Sequence, residues 1–261
     1  INNIVDITNY ILHETGQPLH AFDADQIKDA TVVVKKYPAG SLFVTLDGTE
    51  RKLTANDLMI SDTEKPLCIA GVFGGLKSGV SVSTSKIFLE SAWFENIHVR
   101  KTSLHHGLRT DAATRFEKGV DIAGTVNVLE RAAQLIQEIA GGKCSEVVDV
   151  YPAPATKKRV VLTYAYLKKL SGKHYPTEKV KTILTSLGFE LIKESAESIE
   201  VAVPYHKPDI SLPADLVEEV LRIDGLDNIE IPSSITMSPS IDPLEQKEKF
   251  KEKIANYLVG R

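Results

Sequence analysis

The residues able to do chemistry gather in two stretches. LHHGLRTDAATRFEKGVD at 104–121 holds a histidine pair, several basic residues and Thr110 ahead of a helix start, and GQPLHAFD at 16–23 carries His20 in a turn between Leu19 and Phe22. A lone histidine there is either a turn residue bonded to backbone or a polar group overhanging a pocket. In the second case Thr8, on the preceding helix, faces the same space. Thr110, Asp111 and Ala112 stand where free N–H groups and the helix dipole suit an anion or a substrate oxygen. Arg100, Lys101, Arg109, Arg115 and Lys118 make this region locally basic, which fits either a solvated face or contact with phosphates.

Three further stretches carry chemical potential. CIAGVFGGLKSG at 68–79 fits neither a Walker loop nor a dinucleotide fingerprint. Its Ala70-Gly71 and Gly74-Gly75 pairs suit pocket walls that offer amide N–H groups without side-chain bulk. Glu90, in IFLESAW, interrupts an apolar strand with a carboxylate that either points to solvent or faces a cavity, where burial is costly without a partner. Asp209, Asp215, Glu218 and Glu219 form a carboxylate cluster. Asp215, Glu218 and Glu219 share a helix face, a repulsion that Arg222 relieves by a salt bridge or a hard cation such as Mg²⁺ relieves by coordination. On spacing alone the salt bridge is the simpler account.

The elements that must position these groups follow from periodicity. Ile4, Ile7, Ile11 and Leu12 mark a first helix, ended by Gly16 and Pro18. Short β-rich pieces follow through KIFLESAWF, with a hairpin turn at Asp47-Gly48. A helix begins within 96–104, Thr110 or Asp111 caps the next, and 124–140 is a long amphipathic helix stopped by Gly141-Gly142. The class is α+β: a larger mixed-sheet domain with covering helices over 1–150, then a small α/β domain over 158–232. YPAPATKK links them, PSSITMSPSIDP follows, and 233–261 ends in a charged helix. In the small domain RVVLTY, FELI and SIEVAVPY read as strands, a helix is capped by Thr177, and Pro213 opens the last helix.

Composition narrows the function. At 261 residues, 43% hydrophobic and 25% charged, the chain buries a real core, and its net charge of −4 excludes a bulk nucleic-acid binder, leaving only local patches for that role. Cys68 and Cys144 stand alone, which fits a reducing, cytoplasmic setting and gives no metal or disulfide framework. No apolar run reaches the roughly 20 residues of a membrane span. The opening INNIVDITNY has neither Met nor a signal-peptide n-region, so the sequence reads as a piece of a longer polypeptide.

NIVDITNYILHETGQPLHAFD, IAGVFGG, FLESAWF and RTDAATRFEKGVD together resemble the editing domain of bacterial phenylalanyl-tRNA synthetase beta subunits, and PDISLPADLVEEVLRIDGLDNI resembles the small module that follows it there. The resemblance implies a nucleic-acid-binding-like fold for that module and hydrolysis of Tyr mischarged onto tRNA(Phe). Such editing is needed because a pocket built for Phe rejects an added hydroxyl only about a hundredfold. It implies that Glu90 accepts the hydrogen bond of the Tyr phenol, with His20 and Thr110 as the other catalytic residues and Thr8, Ala70, Gly71, Gly74 and Ala112 around the substrate. It also implies Mg²⁺ at Asp209, Asp215, Glu218 and Glu219, against the simpler salt bridge. The family's alpha subunit, in an α2β2 assembly, would supply ATP-dependent aminoacylation. The alternative function is a non-catalytic module that binds tRNA and scaffolds subunits.

Overall fold

Helix α1 (Asn3–Thr15) starts where the Asn2 side chain accepts the Val5 N–H at 3.0 Å and stops at Gly16, whose φ of 78° the Cβ-free backbone adopts without strain. The computed structural model describes residues 2–231, 233, 234, 237 and 245–260. Strands β1 (Leu19–Asp23), β2 (Val33–Lys36), β3 (Leu42–Val44), β4 (Glu50–Lys52), β5 (Leu58–Ser61), β6 (Pro66–Ile69), β7 (Phe73–Gly74) and β8 (Ile87–Ser91) come next. Helices α2 (Asn96–His106), α3 (Asp111–Lys118) and α4 (Thr125–Ala140) follow them.

The α+β class stands, built from small antiparallel sheets. β2-β5-β6-β7 form one sheet, β3-β4 a hairpin about Asp47-Gly48, and β1-β8 a ribbon; every strand pairing among the described residues is antiparallel, where a mixed sheet was expected. His20, expected in a turn, lies instead in β1, directly opposite Glu90 of β8. The strand shows no polar alternation because both faces of the ribbon are covered. Leu19, Ile87 and Leu89 pack against α1 and α4, around Ile7, Ile11, Ala132 and Ile136. Phe22, on the His20 face, is fully buried in the main core with Met59, Leu67, Ile69, Phe94 and Phe116.

A polar pin fixes α2 to this core. The buried Asp57 carboxylate accepts from His106 Nε2 at 2.8 Å, Thr102 Oγ1 at 2.8 Å and the Thr54 N–H at 2.7 Å. Arg51 Nη1 donates to the His106 carbonyl at 2.7 Å and its Nε to Thr45 Oγ1 at 3.0 Å. The end of α2, and so the start of α3, is thereby tied to the β3-β4 hairpin. Satisfied buried networks of this kind fix a unique arrangement.

Residues 141–158 carry no helix or strand and are largely exposed. The second half comprises β9 (Arg159–Thr163), α5 (Tyr164–Ser171), α6 (Thr177–Ser186), β10 (Glu190–Glu194), β11 (Ser198–Ala202) and α7 (Pro213–Asp224), with the antiparallel order β10-β11-β9 and a core around Leu162, Val180, Leu184, Ile199 and Leu216. Two local expectations change here. Thr177 is the first residue of α6, with Pro176 before it, and the unanticipated α5 is capped by Thr163, which accepts the Tyr166 N–H at 3.2 Å. Residues through Asp224 form one compact unit. The remaining unit holds a short 3₁₀ turn, Leu226–Asn228, and the charged helix α8 (Glu245–Val259); most of the expected PSSITMSPSIDP linker lies outside the described residues. No helix among the described residues is long and apolar enough to cross a membrane.

Candidate functional site

The His20–Glu90 face of the β1-β8 ribbon opens into a cavity of about 290 Å³. Its wall draws on α1 (Thr8, Leu12), on β6 and the turn after it (Cys68, Gly71, Val72), on Gly74 of β7 and on the start of α3 (Thr110, Asp111, Ala112), with Leu46 at the rim. That volume is at the small end for ligand pockets, which begin near about 300 Å³. Of the residues singled out in the sequence, Thr8, His20, Gly71, Gly74, Glu90, Thr110 and Ala112 meet here, from segments far apart in the chain. Ala70 does not: it is buried in the main core beside the cavity and is absent from the lining.

Cross-strand pairing sets His20 and Glu90 side by side on one face. The His20 ring stands edge-on to Phe22, with centroids 4.4 Å apart, and its Nε2 is sealed without a hydrogen-bond partner. Gly74 permits that seat, since a Cβ there would lie 2.9 Å from His20 Cε1. Burial lowers the His20 pKa to about 4, so the ring is neutral at pH 7. Burial raises the Glu90 pKa to about 8, so its carboxyl is protonated at pH 7. No described residue hydrogen-bonds that carboxyl, which also lines the cavity. A Gly74→Ala change should therefore displace His20 into the cavity and block ligand entry, with a thermal midpoint only a few degrees lower. Ligand binding at an unaltered level in that variant would contradict this role for Gly74.

Thr110 is committed locally. Its Oγ1 donates to the Val72 carbonyl at 2.8 Å and accepts the Ala113 N–H at 3.0 Å, capping α3. It is therefore a positioning residue rather than a free nucleophile. Asp111 and Ala112, in the first turn of α3 where backbone N–H groups have no intrahelical acceptor, are lining residues of the cavity. Thr110→Ala should cost about 1 kcal/mol in a denaturation series, and Thr110→Ser should restore most of it. Equal losses in both variants would exclude the capping hydroxyl as the cause. Thr8 is similarly occupied, its hydroxyl donating to the Val5 carbonyl at 2.8 Å.

The carboxylate cluster does not assemble. Asp215 turns back to accept the Ser211 and Leu212 N–H groups at 2.8 and 2.7 Å, and Glu219 accepts from Lys207 and Arg222, both at 2.8 Å. Asp209 and Glu218 are exposed. Among the described residues no three His, Cys, Asp or Glu side chains form a metal-ligand set. The donors present do not fit the expected Mg²⁺ site, and Arg222 forms its ion pair with Glu219 rather than Glu218.

Residues 1–141 match the B3/4 domain, more than half of the chain. The chain belongs to the B3/4 domain family. Residues 160–226 match the tRNA synthetase B5 domain. A phenylalanine–tRNA ligase beta subunit of Bacteroides fragilis is 48% identical over 262 residues, covering 100% of this chain and 32% of that protein. The corresponding beta subunit of Bacteroides thetaiotaomicron is 46% identical with the same coverage. The chain thus spans about a third of the length of these relatives. A solved N-terminal fragment of the phenylalanyl-tRNA synthetase beta subunit from Pyrococcus horikoshii is 17% identical with a TM-score of 0.41, covering 84% of this chain and 64% of that one.

Sequence reasoning missed Cys68, Phe94, Phe116 and Leu46 among the B3/4 cavity residues. Cys68 pairs across β6-β7 with Gly74, and burial raises its thiol pKa. Leu46 did carry a signal, since it is an apolar residue set immediately before the Asp47-Gly48 turn.

Proposed function

We propose that the B3/4 cavity hydrolyses the ester of Tyr-tRNA(Phe), so that the chain edits mischarged tRNA in support of Phe-tRNA synthesis. The observation that carries this reading is Glu90: a carboxyl without a partner, held neutral by burial, on the wall of a cavity of single-amino-acid size. Such a group is expensive to keep unless a ligand completes it, and the Tyr phenol does so where the Phe ring cannot. Glu90 thus selects the side chain. On this reading the Asp111 and Ala112 N–H groups, at the positive end of α3, receive the oxyanion formed when water attacks the ester carbonyl. His20, with its pKa near 4, is too weak a base to draw a proton from water at pH 7 and serves as a neutral wall of the cavity. The ribose hydroxyl next to the ester helps to position the attacking water. Water attacks, the carbonyl–O bond to the ribose breaks, and the ribose oxygen leaves with a proton, giving free Tyr and uncharged tRNA.

On this reading the chain works in the cytoplasm within a beta subunit partnered by an alpha subunit in an α2β2 assembly, the alpha subunit carrying ATP-dependent aminoacylation. The decisive experiment is deacylation of Tyr-tRNA(Phe) and Phe-tRNA(Phe) by the chain and by Glu90→Ala. Faster release of Tyr than of Phe, lost in the variant, supports editing. Binding of Tyr-tRNA without any hydrolysis would favour the non-catalytic tRNA-binding and scaffolding module instead.

A further inference from the structure

A second cavity, of about 340 Å³, lies against the other end of α3 and is lined by Gly16, Gln17, Arg115, Lys118, Asp121 and His206 among others. It joins the B3/4 half to the loop before α7, where Gly119 packs on Pro208 so closely that a Cβ would lie 2.7 Å from the proline ring. Gln17 is 4% exposed and its Nε2 donates to the Ala92 carbonyl at 2.7 Å and the Pro18 carbonyl at 3.2 Å. The amide thus forms a fixed wall whose donors are spent and whose Oε1 stays unpartnered among the described residues, leaving anion binding to the basic side chains. The cations are not neutralised locally. Neither Arg115 nor Lys118 pairs with a carboxylate among the described residues, and the carboxylate in the lining, Asp121, accepts the Ala123 N–H at 2.9 Å. His206 adds a third basic nitrogen group, from a different segment.

The two cavities share their framework. Asp111 and Ala112 open α3 on the first and Arg115 and Lys118 close it on the second, while 16–17 and 18–20 continue one into the other. Along a helix at about 1.5 Å per residue, the two ends of α3 are about 10 Å apart. An aminoacyl ester in the first cavity is the end of a strand that bears a phosphate at every nucleotide, so an anion-seeking cleft at this distance lies within that strand's reach. We propose that the Arg115–Lys118–His206 cleft seats a backbone phosphate of the same RNA strand whose aminoacylated end enters the first cavity. The proposal rests on the editing reading for the direction of the strand. Its consequence is a preference for RNA-linked esters over free amino-acid esters, which the first cavity alone does not provide.

The test measures binding of a short single-stranded oligoribonucleotide to the chain as a function of salt, comparing wild type with Arg115→Gln/Lys118→Gln and with the charge-keeping Arg115→Lys. The double variant should bind about 5- to 50-fold more weakly, and its plot of log affinity against log salt should be shallower by about 0.7 for each phosphate that is no longer neutralised. Arg115→Lys should retain most of the affinity and the slope. Unchanged affinity in the double variant overturns the proposal, as does weaker binding with the slope unaltered, which would report damaged folding. Displacement of the oligonucleotide by inorganic phosphate at equal phosphate concentration would also overturn it, making the cleft a free-anion site. A parallel assay follows hydrolysis of tyrosyl-adenosine, which has no phosphate and should be cleaved equally by wild type and double variant. Absence of that hydrolysis from wild type removes the editing reading while leaving the binding result intact.

Discussion

Glu90→Ala should lower the rate of Tyr-tRNA(Phe) deacylation by about 30- to 150-fold at limiting substrate, while Phe-tRNA(Phe) deacylation changes little. The magnitude follows from removing one buried hydrogen bond and leaving the phenol unpaired, about 2–3 kcal/mol, at 1.4 kcal/mol for each tenfold. The asymmetry between substrates follows from geometry: Phe never makes the bond, so removing the carboxyl takes nothing from it. Glu90→Gln separates two forms of the idea. At pH 7 the carboxyl is protonated, its pKa raised to about 8 by burial, and a glutamine has the same shape and the same neutral charge. If the neutral acid reads the phenol, the Gln variant should stay within about tenfold of wild type at pH 7. If the carboxylate reads it, wild-type selectivity should climb as pH rises through 8 and Gln should behave like Ala. Equal losses for Tyr and Phe esters in Glu90→Ala would remove Glu90 from selection altogether.

What the sequence disclosed and what it hid have physical causes. Helix ends were legible because Thr110 and Gly16 satisfy or relax specific backbone groups, and those rules are local. The carboxylate of Glu90 was legible as an anomaly in an apolar strand, yet whether it met water or a cavity depended on its partner strand. That partner, β1, was hidden because five residues covered on both sides leave no alternating pattern. The joining of β1 to β8, some 70 residues later, is what makes His20 and Glu90 neighbours. Thr110 reads as a cap and is one, whereas the catalytic role implied for it by the resemblance meets a hydroxyl already bonded to Val72 and Ala113, the former set by where the chain after β6 passes. The acidic cluster divides differently: spacing alone favours a salt bridge to Arg222, which Glu219 forms, and Mg²⁺ comes only from the resemblance. Sequence spacing put Asp215, Glu218 and Glu219 on one face, but Lys207, outside the helix, reaches Glu219, and the Ser211 and Leu212 amides claim Asp215.

The pair of buried groups should also leave a mark on stability that needs no substrate. Burial lowers the His20 pKa from 6.5 to about 4, so the unfolded chain binds an extra proton in that interval and stability rises with pH across it. Burial raises the Glu90 pKa from 4.5 to about 8, so here the folded chain holds the extra proton and stability falls as pH rises from 4.5 to 8. The two trends oppose one another between 4.5 and 6.5 and nearly cancel. Above 6.5 only Glu90 acts. A full unit of proton difference over the interval from 6.5 to 8 amounts to about 2 kcal/mol, and water reaching the carboxyl through the cavity reduces that to about 1 kcal/mol. For a unit of this size the thermal midpoint should then drop by about 2–4 °C. Glu90→Gln should abolish the drop and exceed wild type at pH 8 by about 1–3 kcal/mol, because the amide cannot ionise. Scanning calorimetry of both proteins from pH 5 to pH 9 makes the comparison; parallel curves for wild type and variant would mean that Glu90 is solvated and already charged. A variant that is more stable while losing substrate selection at high pH would show that the fold tolerates a destabilising carboxyl at this position because the cavity's chemistry depends on it.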